Sequence, residues 1–391
     1  MTRPTLELAG IFRRHGPNYR ETHSLPVHQH KLMRAIETCR TAALGGHVET
    51  CGHCEHTRNS YNSCRNRHCP KCQGRARDQW LAQRKAELLP VPYFHVVFTL
   101  PQAIATIAYQ NKATVYGLLF QTAAAALLTI ARDPKHLGAE AGFFGVLHTW
   151  GQTLQHHPHI HCVVAGGGLS ADRQRWIRCR PRYCLPVKVL SALFRRLFLE
   201  ALQKAFDKGL LQFFSELEPL RQPAAFATYL KCVRRSKWVV YAKAPFGGPE
   251  QAIAYLGRYT HRVAISNHRL RSLANGQVSF EWKDYRDQSQ SKTMTLEAEE
   301  FIRRFLLHSL PPGFQRIRHY GFLANVHRRE NVSLCRELLT HDPTGLLPAI
   351  APADPDEAVL DQLPLCPVCG IGVMIRIERL PPLPAPGVDS S

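Results

Sequence analysis

Acidic side chains are scarce. The 391 residues carry 30 Asp and Glu against 50 Lys and Arg, a formal charge of 50 − 30 = +20 with histidine neutral. A cationic partner is disfavoured. At a pI of about 9.7 the expected partner is a polyanion, nucleic acid first and an anionic membrane second. No positively charged and then apolar segment opens the chain, and its 13 cysteines are odd in number, so the expectation is a reducing cytoplasm rather than a secreted disulfide scaffold. Long apolar runs are nearly missing too. The longest stretch free of charged residues and histidine, residues 113–131, approaches the roughly 20 residues of a membrane span, yet it is alanine-rich and contains Thr114, Gln121, Thr122 and Thr129. It is expected to be a buried helix, with no membrane partner. Internal repeats are absent. At 45% hydrophobic residues the chain can bury a sizeable core, which excludes wholesale disorder, and its length suits two or three domains.

The basic residues come in blocks. Residues 1–90 hold 15 basic and 7 acidic side chains, 171–196 hold 8 and 1, 231–272 hold 9 and 1, and 301–339 hold 7 and 2. From residue 340 onward the sign reverses, 2 against 7, in a proline-rich segment. Separate basic blocks in a folded region suit a surface that follows a phosphate backbone, while the acidic end reads as an appendage. The expected divisions are 1–90, 91–339 and 340–391.

Periodicity and breakers give a coarse secondary structure. Residues 93–100 (YFHVVFTL) read as a strand stopped by Pro101, and 102–131 as one long helix. Residues 142–154 and 159–164 read as antiparallel strands joined by a turn at 155–158. Helices are expected at 189–208, 249–260 and 297–308, and strands at 238–244, 263–266, 277–282 and 293–296. Strands outside strict βαβ alternation predict an α+β fold with a largely antiparallel sheet.

Two CxxC pairs, Cys51/Cys54 and Cys69/Cys72, stand fourteen residues apart. Four thiolates at such spacing can surround one Zn²⁺ at about 2.3 Å each, which orders a segment too small for a core of its own. Cys64 and His68 fall within the same stretch, leaving a swapped ligand or a second ion open. Arg58, Arg65, Arg67, Arg75 and Arg77 make this ribbon a DNA-binding element rather than a redox centre. Near the far end, Cys366 and Cys369 form half of another zinc knuckle, with Cys335 and His327 or His341 as candidate partners.

The stretch HTWGQTLQHHPHIHCVVAGGG carries the main chemical signal. His159 and His161 alternate with one apolar residue, so a strand puts both imidazoles on one face, where they can share a cation. With a turn at 155–158, Gln152 falls opposite His161 and is the expected third ligand; His148 and His157 compete with it. Acids are few around this strand, and no P-loop lysine follows Gly166, Gly167 and Gly168. In AIAYLGRYTHRVAISN, Tyr255 and Tyr259 lie one helical turn apart, beside Arg258, His261 and Arg262. A tyrosine phenolate, with an intrinsic pKa near 10, is both a nucleophile and a good leaving group for phosphodiester exchange.

Taken together, the HIH strand, the trailing GGG, the YLGRY helix and the CxxC ribbon resemble the two-tyrosine HUH rolling-circle transposases of bacterial insertion sequences, insertion-sequence family ninety-one. The resemblance runs from the ribbon to the CPVC knuckle. It implies a ferredoxin-like antiparallel-sheet nuclease core with the HUH pair on a central strand. It also implies a divalent cation held by His159 and His161, which an oxygen from Gln152 would make Mg²⁺ or Mn²⁺ rather than Zn²⁺, beside the Zn²⁺ expected in the ribbon. Tyr255 and Tyr259 would attack DNA to give covalent 5′-phosphotyrosine. The implied partners are the single-stranded ends of its own element and target DNA, contacted by Arg258, Arg262, His261, Arg65 and Arg67. A bacterial, cytoplasmic, nucleoid-associated enzyme is the expectation.

Overall fold

The computed structural model describes residues 6–85, 87–180, 185–243, 251, 257, 263–285, 287–341 and 365–383. The fold is α+β, with helices and antiparallel sheets. Contacts group the chain into one unit of Met1–Gln79, His261–Ser309 and Pro352–Ser391, and a second of Trp80–Thr260 and Leu310–Ala351. This grouping cuts across the divisions expected near residues 90 and 339. The cause lies in two long-range pairings within the first unit.

One pairing is a sheet in which β1 (Gly46–Cys51) is the middle strand, between β2 (Thr57–Tyr61) and β12 (Met374–Leu380). Cys51 sits opposite Met374 and Gly46 opposite Leu380, so the expected appendage supplies an edge strand. In the other, α8 (Ala298–Leu307) packs on α1 (Leu8–Thr22) through an edge-to-face contact of Phe12 with Phe305 at 5.4 Å. Gln29 of α2 (Val27–Thr38) donates to the Leu306 carbonyl and to Ser309 Oγ, which closes this helical cluster. Strands β8 (Leu270–Ala274), β9 (Gln277–Asp284) and β10 (Gln290–Glu297) form a meander. Its first turn is Asn275-Gly276, both with positive φ, the dipeptide that two-residue hairpins favour. Residues 263–266, expected as a strand, are not one; the strand begins at Leu270.

The second unit is built on β3 (Tyr93–Thr99), β4 (Glu140–Trp150), β5 (His156–Leu169), β7 (Val239–Lys243) and β11 (Ile317–Tyr320). Their spatial order is β11-β4-β5-β3-β7, all antiparallel, with the short β6 (Trp176–Arg178) attached to β5. Between β3 and β4 run α4 (Gln102–Gln110) and α5 (Lys112–Arg132), and between β5 and β7 run α6 (Val187–Asp207) and α7 (Pro223–Arg235). A path of strand, helices, two strands, helices, strand in this order is the ferredoxin-like connection expected. The single helix foreseen over 102–131 is broken at Asn111, whose side-chain amide donates to the Gln212 carbonyl and accepts from the Gln212 N–H.

Strand alternation gives the sheet two unlike faces. Phe94, Val96 and Phe98 of β3, Ile160 and Cys162 of β5 and Leu147 of β4 meet α5 and α6 in the main core. Phe194 of α6 packs edge-on against Phe98 and Trp238, each ring worth roughly 1.5–3 kcal/mol on burial. Residues 113–131 lie within α5, whose Val115, Leu119, Phe120, Leu127 and Ile130 are buried in this core, as a buried helix requires. The opposite face is apolar at one end, where Tyr93, Phe144, Val146 and Val163 pack with Val332 and Leu339 of α9 (Arg328–His341). Its other end carries the histidines.

Gly321 has φ +60 and follows β11, and a Cβ there would overlap the Ala141 carbonyl oxygen. Gly209, with φ +66 after α6, faces open space. Gly209→Ala is expected to cost about 1 kcal/mol, and Gly321→Ala about 1–3 kcal/mol more. Urea denaturation of the two variants measures the difference, and equal midpoints would refute it.

Candidate active site and metal centres

The histidine face is set by register. His148 on β4 lies directly opposite His159 on β5, and His161 opposite Val146. On the other side β3 pairs Thr99 with His159 and Val97 with His161, which puts His95 on the same face as the other three rings. The expected turn at 155–158 is corrected by this geometry. The chain reverses at 151–155, with Leu154 in the left-handed region at φ +61 and Gly151 N–H donating to the Gln155 carbonyl at 3.0 Å. Pro158 sits inside β5, where the pairing is irregular between His148 and Trp150 and a bulge absorbs a residue with no N–H to give.

Gln152 therefore lies in the turn rather than opposite His161, and His148 takes the third position. The ligand nitrogens of His148, His159 and His161 lie within 4.8 Å of one another. His148 is 2% and His161 9% exposed, whereas His159 is half-buried and forms the open side. His159 Nδ1 is 2.6 Å from the His157 carbonyl oxygen, which only accepts, so Nδ1 carries the proton and Nε2 presents its lone pair. His161 Nδ1 is 2.8 Å from His95 Nε2. Burial, with Lys243 nearby, pulls His95 down to about 4, so it is neutral at physiological pH. Trp150 stacks on His148 at 4.8 Å and walls the cluster.

Three imidazoles, one with its tautomer fixed by a carbonyl and one held by a second histidine, suit a divalent cation, with the remaining coordination positions left to water or phosphate oxygen. An all-nitrogen set suits Mn²⁺ better than Mg²⁺, which prefers oxygen. Sequence reasoning overlooked His95, although it stands alternate to Tyr93 and Val97 on a strand legible from its apolar run. Tyr255, Tyr259, Arg258, His261 and Arg262 lie outside the described residues. Between the two tyrosines, Gly257 is helical and buried, and a Cβ on it would meet Leu81 of α3 (Gln73–Lys85) at 2.6 Å. The neighbouring Trp80 packs edge-on against Phe144, on the histidine face.

The ribbon cysteines divide differently from the expected single set. Cys69 and Cys72 gather with Cys39 and Cys64, while Cys51 and Cys54 gather with Cys366 and Cys369. The expected partners of Cys366 and Cys369, Cys335 with His327 or His341, are not in that group. In the first cluster Cys39 Sγ and Cys64 Sγ lie 3.5 and 3.6 Å from Cys72 Sγ. Hydrogen bonds from Cys64 and Cys69 bring the Cys39 thiol down to about 7, and those from Cys39, Cys64 and Cys69 lower Cys72 further. Hydrogen bonds with Cys39 push the Cys64 and Cys69 thiols up, so the four divide, and a bound metal would draw the protons from all of them. Arg65, exposed at φ +52, and the half-buried Arg67 lie on the loop that leads into Cys69.

The family model described as "Transposase zinc-binding domain" matches residues 11–100, and that described as "Putative transposase" matches residues 142–331. "Putative transposase y4qJ" of Sinorhizobium fredii is 59% identical over 383 residues, covering 97% of this chain and 96% of the relative. "Transposase for insertion sequence element IS801" of Pseudomonas savastanoi pv. phaseolicola is 30% identical over 347 residues, covering 85% and 79%. No solved structure matches the chain. A zinc-binding module at residues 11–100, a transposase region over the histidine strands and likeness over most of the chain to an insertion-sequence transposase agree, and the chain belongs to the transposases of insertion-sequence family ninety-one.

Proposed function

We propose that this transposase nicks and rejoins single-stranded DNA through covalent 5′-phosphotyrosine links formed by Tyr255 and Tyr259. The observation that carries the reading is the convergence of His148, His159 and His161 on one sheet face. A divalent cation bound there would act as a Lewis acid on the non-bridging oxygens of the scissile phosphate. The phenolic oxygen of one tyrosine attacks phosphorus, the P–O bond to the 3′-oxygen breaks, and that oxygen takes up a proton as it leaves. The reverse exchange, with a 3′-hydroxyl as nucleophile, rejoins a strand and releases the tyrosine. Two phenols permit one cleaved end to be held while the other strand is engaged.

Residues of the same face suit a single strand. Tyr241 pairs with Val97 and Lys243 with His95, so both point to the histidine side of β7, and Tyr241 is 51% exposed. An aromatic ring and a cation at the sheet edge are the parts with which proteins hold unpaired bases and phosphates. Arg258, His261 and Arg262 lie close in sequence to the tyrosines, and Arg65 and Arg67 extend phosphate contact to the zinc-binding segment, which on this reading recognises the element end.

Incubation with Mn²⁺ and a labelled single-stranded oligonucleotide carrying an element end is expected to yield a denaturation-resistant protein–DNA adduct. The adduct should be lost in the Tyr255→Phe/Tyr259→Phe variant while DNA binding persists. Product without an adduct would instead indicate activation of water by the three histidines, and the reading would fall. Titration with Mn²⁺, followed by its electron spin resonance signal, should show loss of binding in His148→Ala and retention in Gln152→Ala. In His95→Phe the His161 ring loses its hydrogen-bond partner, and affinity for Mn²⁺ should fall about 10–100-fold. Unchanged affinity would remove His95 from the site.

A further inference from the structure

The two cysteine clusters do not sit alike in the sequence. Cys39, Cys64, Cys69 and Cys72 all fall within residues 11–100, which match a zinc-binding domain. The second cluster takes Cys51 and Cys54 from that segment but Cys366 and Cys369 from beyond both matched regions. We propose that Cys51, Cys54, Cys366 and Cys369 form a separate structural zinc site that clasps the carboxy-terminal strand to the amino-terminal ribbon. The chain thus binds two zinc ions rather than one.

The sulfur geometry suits an ion and not disulfides. Cys51 Sγ lies 3.7 Å from Cys369 Sγ, and Cys54 Sγ lies 3.6 Å from Cys366 Sγ. A tetrahedron of Zn–S bonds of about 2.3 Å has edges of about 3.8 Å, whereas a disulfide is about 2.05 Å long. The backbone supports thiolates on both sides. Cys51 Sγ accepts from the N–H groups of His53 and Cys54, Cys366 Sγ from Val368 and Cys369 Sγ from Gly372, all at 3.4 Å. Such paired knuckles stabilise the negative charge that four sulfurs share when they lose their protons.

Glycine completes the fit. Gly370 turns the second knuckle at φ +68, and a Cβ on Gly372 would meet Cys51 Sγ at 2.4 Å and the His53 Cβ at 2.6 Å. Immediately beyond, Met374 pairs with Cys51 and starts the ladder of β12 on β1. Cys51, Cys366 and Met374 are buried together in a small cluster, too little apolar surface to hold the strand unaided. Four thiolates close the coordination shell, so the role is structural, without an open position for substrate. The proposal is independent of the catalytic reading.

Zinc content of the full chain, purified without chelator and measured by plasma mass spectrometry and native mass spectrometry, tests it. Two ions per chain are expected in the wild type, and one in Cys366→Ser/Cys369→Ser and in Cys39→Ser/Cys64→Ser. One ion in the wild type, two retained in Cys366→Ser/Cys369→Ser, or none left in it, would each overturn the proposal. A second measurement needs no variant. On stepwise chelation of the wild type, alkylation mapped by mass spectrometry should find Cys51, Cys54, Cys366 and Cys369 becoming reactive as one set. Release of Cys51 and Cys54 together with Cys69 and Cys72 would refute the clasp.

Discussion

The pairing of β4 with β5, with His148 opposite His159, is the constraint on which the catalytic unit depends. Side chains alternate along a strand, so a slip of one residue would turn His159 and His161 into the helix-covered core and bring Ile160 and Cys162 out of it. The register is held from both flanks. Ile160 and Cys162 are buried against helices on one side of the sheet, and β3 fixes β5 independently through Thr99–His159 and Val97–His161. A turn displaced toward 151–155 and a bulge at Pro158 are the local adjustments that this register demands of the chain.

The two faces divide the work between rigidity and chemistry. Phe98, Phe120, Phe194 and Phe198 fill the helix-covered side, an anchorage that keeps the strands from yielding under a charged ligand. On the other side, polar rings are buried at a desolvation cost of about 1–3 kcal/mol for each unpaired group. The bond between His95 and His161 offsets part of that cost and directs the remaining nitrogen of His161 outward. A neutral His95 also adds no positive charge behind a site that would already gather a cation.

Much of the fold was legible because the apolar run 93–100 and the alternating stretch through HIH are bounded by proline and glycine. The HIH pair was legible as a motif because it needs only local spacing; the tyrosine pair rests on the same kind of spacing and lies outside the described residues. What the sequence concealed were non-local partners. His148 lost its place to Gln152 because the turn was set by Pro158, a residue that reads as a breaker but tolerates a bulge. His95 carried no motif at all. Cys51 and Cys54 seemed to belong with Cys69 and Cys72 because they are neighbours along the chain, whereas sheet pairing delivers Cys366 and Cys369 from over three hundred residues away. The helices α1, α2, α7 and α9 were missed among basic and histidine-rich segments in which charge obscured the 3.6-residue period.

The position of β12 has a consequence for biogenesis. A ribosome delivers Cys51 and Cys54 more than three hundred residues before Cys366 and Cys369, so the nascent protein carries an unmated pair of thiols through that interval. Translation interrupted before Cys366 would leave a middle strand with a bare edge and two sulfurs open to oxidants or stray metals. Closing the ribbon thereby waits on the synthesis of Cys366 and Cys369.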